Sequence, residues 1–191
     1  MTDQQIIRGI QQGQEQAFKA LVDQHQEMVI NVCNSFVHNK EDALDISQEV
    51  FIKAYGTIGQ FRQQSRLSTW LYRIAVNQSL NFIRDNKRRN IFSSLDLLFD
   101  HSKTGRMEKE DDKNQAADER MEQQERLKAL YKAMDKLPQK QKAVLTLNKM
   151  EALSYKEIAD IMDISVSETG VLINRAKKKL QQKLVDRFKN M

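Results

Sequence analysis

The stretch SYKEIADIMDISVSE contains Ser-x-x-Glu twice, at 154–157 and 165–168, around one short apolar pattern. Ser followed three residues later by Glu is typical of a capped helix start, because the hydroxyl accepts from a backbone N–H and the carboxylate reaches back. One helix must therefore begin near Tyr155 and end in time for another to begin near Val166. Two turns of helix, a short turn and a second helix predict a helix-turn-helix, although an ordinary helical hairpin has a similar pattern.

The rest of the chain also favours helix. Its 191 residues include six glycines and one proline, and 30% of them are charged. Few helix breakers and many Lys, Glu, Gln, Leu and Ala residues raise helix propensity throughout. Apolar residues recur at helical spacing up to about residue 90 and again from Leu127, but not between. The predicted fold is all-α, with helical domains at 1–90 and 122–191 joined by a flexible acidic linker at 91–121.

Charge is distributed unevenly along the chain. Seven Arg/Lys and one Asp occur in 62–90, seven Arg/Lys and one Asp in 171–191, and nine Asp/Glu with five Arg/Lys in 100–125. Two basic segments around an acidic one indicate two contacts with a polyanion. Three solvated helix faces would give the same totals.

Targeting and membrane signals are missing from the sequence. Cys33 is the only cysteine, so an intrachain disulfide is excluded and a reducing compartment is expected. The first residues do not form a signal peptide, and no apolar run approaches membrane-spanning length. We expect a soluble, cytoplasmic protein without direct membrane insertion.

Enzyme signatures are also missing. His25, His38 and His101 are far apart and lack ligand-type spacing, and there is no Gly-rich phosphate loop. We therefore expect no metal and no cofactor. A metal-dependent nuclease using Glu41, Asp42 and Asp45 stays open, although their position at a helix start is explained by capping and the helix dipole.

The last helix has a polar face opposite its apolar stripe. That face carries Ser167, Val171, Asn174 and Lys178, with Arg175 at its border. Asn and Arg pair with base edges, Ser and Lys suit phosphates, and an exposed Val can meet a thymine methyl group. The pattern favours duplex DNA binding by this helix.

Two earlier helices also have faces that a core does not need. At 69–84 the face carries Trp70, Arg73, Asn77, Asn81 and Arg84, followed by Lys87 and Arg88. This is the chemistry of a surface for unpaired nucleic acid, unless Trp70 is core and the rest are solvated.

At 42–58 the face carries Asp45, Gln48, Glu49, Ile52 and Lys53. An exposed Ile among carboxylates favours a protein contact, unless it is a stray apolar residue.

Together these segments resemble the extracytoplasmic-function (ECF) sigma factors of bacterial RNA polymerase. DALDISQEVFIKAYGTIGQF resembles the family's polymerase-clamp-binding segment, and STWLYRIAVNQSLNFIRDNKRR resembles its −10 melting and recognition segment. LPQKQKAVLTLNKMEALSYKEIADIMDISVSE with NRAKKKLQQ resembles its −35-binding helix-turn-helix. The resemblance covers about 10–90 and 122–185.

The resemblance implies a transcription initiation factor that is not an enzyme and whose partners are core RNA polymerase and promoter DNA. It implies that the surface around Ile52 faces the clamp helices of the polymerase. It also implies that Asn77 and Asn81 read −10 bases, and that the loop at 61–69 captures a flipped base. An anti-sigma factor is implied as a further partner.

The resemblance places the −35 contacts at Gly170, Val171, Asn174 and Arg175. Family members often carry Lys or Arg where this chain has Gly170, and a basic residue where it has Leu172. The alternative is a stand-alone helix-turn-helix regulator, which would bind duplex DNA without polymerase, usually as a dimer on a palindrome.

Overall fold

The computed structural model describes residues 1–61, 65–99 and 115–189, with side chains over 1–61, 65–87 and 125–185. Every regular element within these ranges is helical, which confirms the predicted all-α class. In order they are α1 (Asp3–Gln11), α2 (Glu15–Val37), α3 (Lys40–Thr57), a 3₁₀ turn (Ile58–Gln60), α4 (Leu67–Phe99), α5 (Gln115–Met134), α6 (Gln139–Lys149), α7 (Tyr155–Met162) and α8 (Val166–Lys189).

Side-chain caps fix several helix starts. The Thr2 hydroxyl accepts from the Gln5 backbone N–H, and the Gln5 side chain accepts from the Thr2 backbone N–H, which completes a capping box at α1. Asn39 caps α3 by accepting from the backbone N–H of Asp42 at 3.0 Å. These bonds satisfy backbone donors that have no partner inside the helix.

Helices α1–α4 pack around a continuous apolar core. Its fully buried members include Ile6, Leu21, Val50 and Leu71, one from each helix. Cys33 is part of this core, and burial raises the pKa of its thiol to about 11. The core therefore fixes which faces of α3 and α4 remain at the surface.

Helices α6, α7 and α8 pack together through Leu147, Ile158 and Ile173, which are all fully buried. Helix α7 and helix α8 are separated by three residues, 163–165. The predicted helix-turn-helix is therefore confirmed, and α6 and α5 pack against it.

The two groups of helices also contact each other. Helix α7 packs on α4 and helix α6 on α2, so that Val144 and Ile158 join the core cluster of α1–α4. Lys142 of α6 is 3% exposed, and its Nζ donates to Phe36 O at 3.3 Å and to Asp135 Oδ1 at 2.5 Å. Burying an ammonium group is costly unless it is paired. The packing of α6 on α2 therefore depends on these two hydrogen bonds of Lys142.

The helices extend into the segment predicted to be a linker. Helix α4 continues to Phe99, past the predicted start of the linker at residue 91, and α5 begins at Gln115, before its predicted end at residue 121. No glycine or proline occurs between Gly59 and Gly105, so nothing in the backbone chemistry stops α4 earlier. Residues 91–99 and 115–121 are thus helical, and residues 100–114 lie outside the described residues.

Candidate nucleic-acid interface

The helix-turn-helix is held by the two Ser-x-x-Glu sequences. The Ser154 hydroxyl accepts from the Glu157 backbone N–H at 3.3 Å, and the Ser154 backbone N–H donates to Glu157 Oε2 at 2.8 Å. Hydrogen bonds from Ser154 lower the pKa of Glu157. At the second sequence, the Ser165 hydroxyl accepts from the Glu168 backbone N–H at 3.0 Å. Both helix starts are therefore fixed where the sequence predicts them.

The turn between α7 and α8 depends on Asp163. This residue has φ 54° and ψ 51°, the left-handed conformation, where glycine is common and Asp is tolerated. The next backbone N–H, from Ile164, donates to Ala159 O at 3.1 Å and closes the end of α7. After this turn α8 packs on α6 and α7 with one face and has its other face at the surface.

The polar face of α8 is at the surface, as predicted. We call it the α8 surface; it consists of Ser167, Gly170, Val171, Asn174, Arg175 and Lys178, all exposed except the half-buried Gly170. On the opposite side Thr169, Ile173 and Ala176 are buried. The arrangement offers amide, guanidinium, ammonium and hydroxyl groups together with one exposed valine, which suits the edges and phosphates of duplex DNA.

The predicted face of α4 is only partly open. We call it the α4 surface; it consists of Trp70, Arg73, Asn77, Asn81, Arg84, Lys87 and Arg88. Asn77, Asn81, Arg84 and Lys87 are exposed, whereas the side chain of Arg88 lies outside the described residues. Arg84 Nε is 3.1 Å from Asp85 Oδ1 in an exposed pair that water screens.

Trp70 and Arg73 differ from the open positions that the helix wheel predicts. Trp70 is half-buried against the core, with its ring centroid 5.1 Å from that of Phe61. Arg73 is half-buried because its Nε and Nη2 donate to Asp160 O of α7 at 3.0 Å and 2.5 Å. Sequence periodicity could not show this contact, because its partners are 87 residues apart.

A cavity of about 560 Å³ lies between α4 and α7 beside this contact. Tyr72 and Arg73 line it from α4, and Lys156 and Asp160 line it from α7. Its lining includes cationic, anionic and hydroxyl groups. The cavity is therefore part of the boundary between the two groups of helices.

The outer face of α3 is fully at the surface. We call it the α3 surface; it consists of Asp45, Gln48, Glu49, Ile52 and Lys53, all of them exposed. Ile52 is 70% exposed. Two further apolar side chains on the outside of this helix, Leu44 and Tyr55, are also exposed and were not singled out by the sequence. The rings of Tyr55 and Phe18 pack in a T-shaped arrangement, with centroids 5.1 Å apart.

Metal-ligand geometry does not occur in the described part of the chain. No three His, Cys, Asp or Glu side chains come together there in a way that could hold a metal ion. Glu41 and Asp42 instead lie in the first turn of α3, beside the Asn39 cap. Among the same residues, no helix is long and apolar enough to cross a membrane.

Two family models match the chain, and together they cover more than half of it. Sigma-70 region 2 matches residues 21–89, which contain the α3 and α4 surfaces. Sigma-70 region 4 matches residues 127–180, which contain the helix-turn-helix. The two matches divide the chain where the predicted linker lies.

Curated and solved relatives agree with these models. The chain is 33% identical over 189 residues to the ECF RNA polymerase sigma-E factor of Haemophilus influenzae, covering 96% of each protein. The structure of CnrH in complex with the cytosolic domain of CnrY matches with a TM-score of 0.61, 24% identity and 97% coverage of both chains. The sigma factor RpoE of Bartonella quintana, in complex with the anti-sigma factor NepR, matches with a TM-score of 0.55 and 21% identity over 87% of this chain and 96% of RpoE. At these identities the two structures support the fold, and the first relative supports the family: the chain belongs to the extracytoplasmic-function sigma factors of bacterial RNA polymerase.

Proposed function

We propose that the chain acts as an ECF sigma factor, a transcription initiation factor that is not an enzyme, and that each of its three surfaces makes a different contact. Residues 1–90 bind core polymerase and the −10 element, and residues 122–191 bind the −35 element. Residues 91–121 connect these two domains. The observation that carries this division is the exposure of Ile52, Asn77 and Val171 on three separate helices of one compact chain. A stand-alone regulator has no use for the first two.

The α3 surface is the proposed contact with the clamp helices of the polymerase. A central apolar side chain, Ile52, surrounded by polar ones matches the anatomy of a protein interface. Leu44 and Tyr55 enlarge the apolar area on the same helix. Carboxylates at Asp45 and Glu49 repel phosphate, which makes DNA an unsuitable partner for this face.

The α4 surface is the proposed −10 contact. Asn77 and Asn81 are one helical turn apart and exposed, so both amides can bond to the edges of unpaired bases. Trp70 and Phe61 form an aromatic pair at the start of this surface, beside the loop proposed to capture a flipped base. Residues 62–64 of that loop lie outside the described residues.

The α8 surface is the proposed −35 contact. Its amide, guanidinium and ammonium groups are exposed, and Lys177 and Lys179 add exposed positive charge beside it. This charge provides phosphate affinity, which is independent of base sequence and weakens steeply with salt. Base readout is then left to the side chains of Val171, Asn174 and Arg175.

An anti-sigma factor and a cytoplasmic location complete the proposal. The RpoE structure contains an anti-sigma factor, and the same fold makes a partner of that kind suitable here. Core RNA polymerase is found in the cytoplasm, so the chain must act there.

Transcription from a library of promoter fragments tests the proposal. Core RNA polymerase is supplied with or without the chain, at one fixed salt concentration. We expect the chain to co-purify with core polymerase and to direct it to a subset of fragments that share two elements. Binding to duplex fragments without any association with core polymerase would instead support a stand-alone regulator.

A further inference from the structure

The cavity between α4 and α7 has one wall from each group of helices. Its volume of about 560 Å³ is within the usual range for small-molecule sites. Residues between 65 and 73 form one wall, and residues between 153 and 161 form the other. The complete cavity therefore exists only while the two groups of helices are packed together.

Three cationic side chains line this cavity, namely Arg66, Arg73 and Lys156. Arg73 donates to Asp160 O, whereas Arg66 and Lys156 form no hydrogen bond or ion pair with any other described residue. Both are exposed, so a ligand can reach them. Cations on the two walls repel each other across the cavity, which opposes the packing of the two groups of helices.

The positions of Arg66 and Lys156 do not favour helix stability. Lys156 lies in the first turn of α7, and Arg66 immediately precedes α4. The helix dipole disfavours a cation at these positions, because the N-terminal end of a helix already has partial positive charge. Two such cations on the lining of one cavity therefore indicate an anionic ligand.

The two carboxylates in the lining do not balance these charges. Glu157 accepts from the Ser154 N–H at 2.8 Å and from its hydroxyl at 2.6 Å, so the carboxylate is held at the start of its own helix. These hydrogen bonds from Ser154 lower the pKa of Glu157 more than the charge of Arg66 does. Asp160 is the second carboxylate, so the lining keeps a net positive charge.

The rest of the lining contains hydroxyl groups and an apolar part. Ser68 and Thr69 of α4 can donate to phosphate oxygens, as guanidinium and ammonium groups do. Tyr72, Leu153 and Ile161 contribute an aromatic ring and two aliphatic side chains. Nucleobases pack on side chains of this kind. The lining therefore suits a ligand in which phosphates are joined to an aromatic base.

We propose that this cavity binds a small phosphorylated molecule of the nucleotide class, with its phosphates at Arg66 and Lys156 and its base beside Tyr72. Because the two walls come from different groups of helices, the ligand binds the closed arrangement, in which these groups are packed together, and stabilises it. That arrangement engages Arg73 of the α4 surface through Asp160, so the bound ligand lowers the affinity for −10 DNA. Ligand binding itself requires neither DNA nor polymerase and is tested apart from the proposed function.

Isothermal titration calorimetry of the full chain measures binding of ATP, GTP and inorganic pyrophosphate at one fixed salt concentration. Adenosine and guanosine are the matched ligands without phosphate. We expect a triphosphate to bind with a stoichiometry of one and pyrophosphate to bind more weakly. Each nucleoside should bind at least about tenfold more weakly than its triphosphate, because it lacks the charge-assisted hydrogen bonds.

Lys156→Gln and Arg66→Gln remove the charges of the two unpaired cations. Each should lower the affinity for the triphosphate about tenfold, because each removes a charge-assisted hydrogen bond to phosphate. Both side chains are exposed, so the circular dichroism spectra should match that of the wild type. Lys19→Gln is the matched control, since it removes the same charge at an exposed position of α2 outside the cavity, and it should bind like the wild type.

Dependence on the closed arrangement is tested by weakening contacts away from the cavity. Tyr131 stacks on His38, and Glu151 accepts from the Ser35 hydroxyl, but none of these four residues lines the cavity. Tyr131→Ala combined with Glu151→Ala should lower the affinity for the triphosphate, because fewer molecules are closed. Saturating triphosphate should then restore the radius of gyration of the wild type, measured by small-angle X-ray scattering.

No detectable binding of either triphosphate at millimolar concentration would overturn the inference, as would an equal loss of affinity in Lys19→Gln and the two cavity variants. Equal affinities for pyrophosphate and the triphosphates would overturn the contact with the base. Unchanged affinity in the double variant would overturn binding to the closed arrangement. The proposed function would stand in each case, because polymerase binding and promoter selection are measured separately.

Discussion

The guanidinium of Arg73 in α4 donates two hydrogen bonds to the backbone carbonyl oxygen of Asp160 in α7. Arg73 belongs to the proposed −10 surface, and Asp160 belongs to the helix-turn-helix proposed to bind the −35 element. While this contact lasts, the Arg73 N–H groups that donate to Asp160 O cannot donate to DNA. The two groups of helices must therefore separate at this point before Arg73 can bind a promoter.

Weakening other contacts between the two groups should favour this separation. His38 stacks on Tyr131 with ring centroids 3.6 Å apart, and the Ser35 hydroxyl donates to Glu151. A compact chain of this length has a radius of gyration of roughly 16 Å. We expect Tyr131→Ala combined with Glu151→Ala to raise the radius of gyration measured by small-angle X-ray scattering clearly above this value.

The matched control is Glu125→Ala with Leu127→Ala, which truncates exposed side chains on the same helix as Tyr131. It should leave the radius of gyration unchanged. Equal values for both double variants and the wild type would mean that these contacts do not hold the closed arrangement.

A charge in the centre of the α3 surface should weaken polymerase binding. Ile52→Asp would place a carboxylate without a partner in the proposed interface, and we expect affinity for core polymerase to fall about tenfold or more. Because Ile52 is 70% exposed, the circular dichroism spectrum and melting temperature should stay close to those of the wild type.

Val185→Asp is the control for Ile52→Asp, because it replaces an exposed aliphatic residue of α8 outside the α3 surface. It should bind core polymerase like the wild type. Unchanged binding by Ile52→Asp would remove the α3 surface from the polymerase interface.

Two helical glycines should respond in opposite ways to alanine. At Gly170 an added Cβ meets the Tyr155 ring at an ordinary distance of 3.6 Å, so Gly170→Ala should raise the free energy of unfolding by up to about 1 kcal/mol through helix propensity. At Gly9 the added Cβ would lie 2.5 Å from Ala17 Cβ. Gly9→Ala should lower the free energy of unfolding by about 1–3 kcal/mol, because α1 and α2 must move apart.

Urea unfolding of the two variants, followed by circular dichroism, measures both changes. If Gly9→Ala were as stable as Gly170→Ala, the close packing of α1 on α2 would be wrong.

Burial should keep His38 neutral well below the ordinary histidine range. Burial, which is the largest cause, and the nearby charge of Lys142 together lower the pKa of His38 to about 4, although Asp135 opposes the shift. The folded protein therefore binds fewer protons than the unfolded chain between about pH 6.5 and 4, so this group reduces stability as pH falls through that range.

Nuclear magnetic resonance titration of the imidazole ring protons checks this value, with His38→Gln identifying the signal. We expect the His38 pKa near 4 in the folded protein and a rise toward its ordinary value in Tyr131→Ala, which exposes the ring. A wild-type pKa near 6.5 would show that His38 is solvated.

Local features of the chain were predictable from sequence because their causes are local. The capping box at Ser154 and the short turn between α7 and α8 depend on residues within four positions of each other. The exposure of Ile52 and Val171 follows from helical periodicity once the apolar stripe is buried. These features account for the fold class and for most of the α3 and α8 surfaces.

Features that depend on distant residues were not predictable in this way. Arg73 and Trp70 have the spacing of surface residues, yet Asp160 and Phe61 partly cover them. Buried Lys142 has no sequence signal, because its partner Phe36 O is 106 residues away. Loss of apolar periodicity after residue 90 did not end α4, since a helix also continues where propensity is high and no breaker occurs.

Promoter melting by the Asn77→Ala/Asn81→Ala protein tests the central claim most directly. The variant and a control, Asn31→Ala/Asn34→Ala, which changes exposed asparagines of α2, are each assembled with core polymerase on a selected promoter. Permanganate reactivity of unpaired thymines then reports melting, beside a measurement of polymerase binding. We predict that the α4 variant binds polymerase like the control but leaves the −10 thymines unreactive. Full reactivity, or an equal loss of polymerase binding and melting, would contradict a −10 readout by this face of α4.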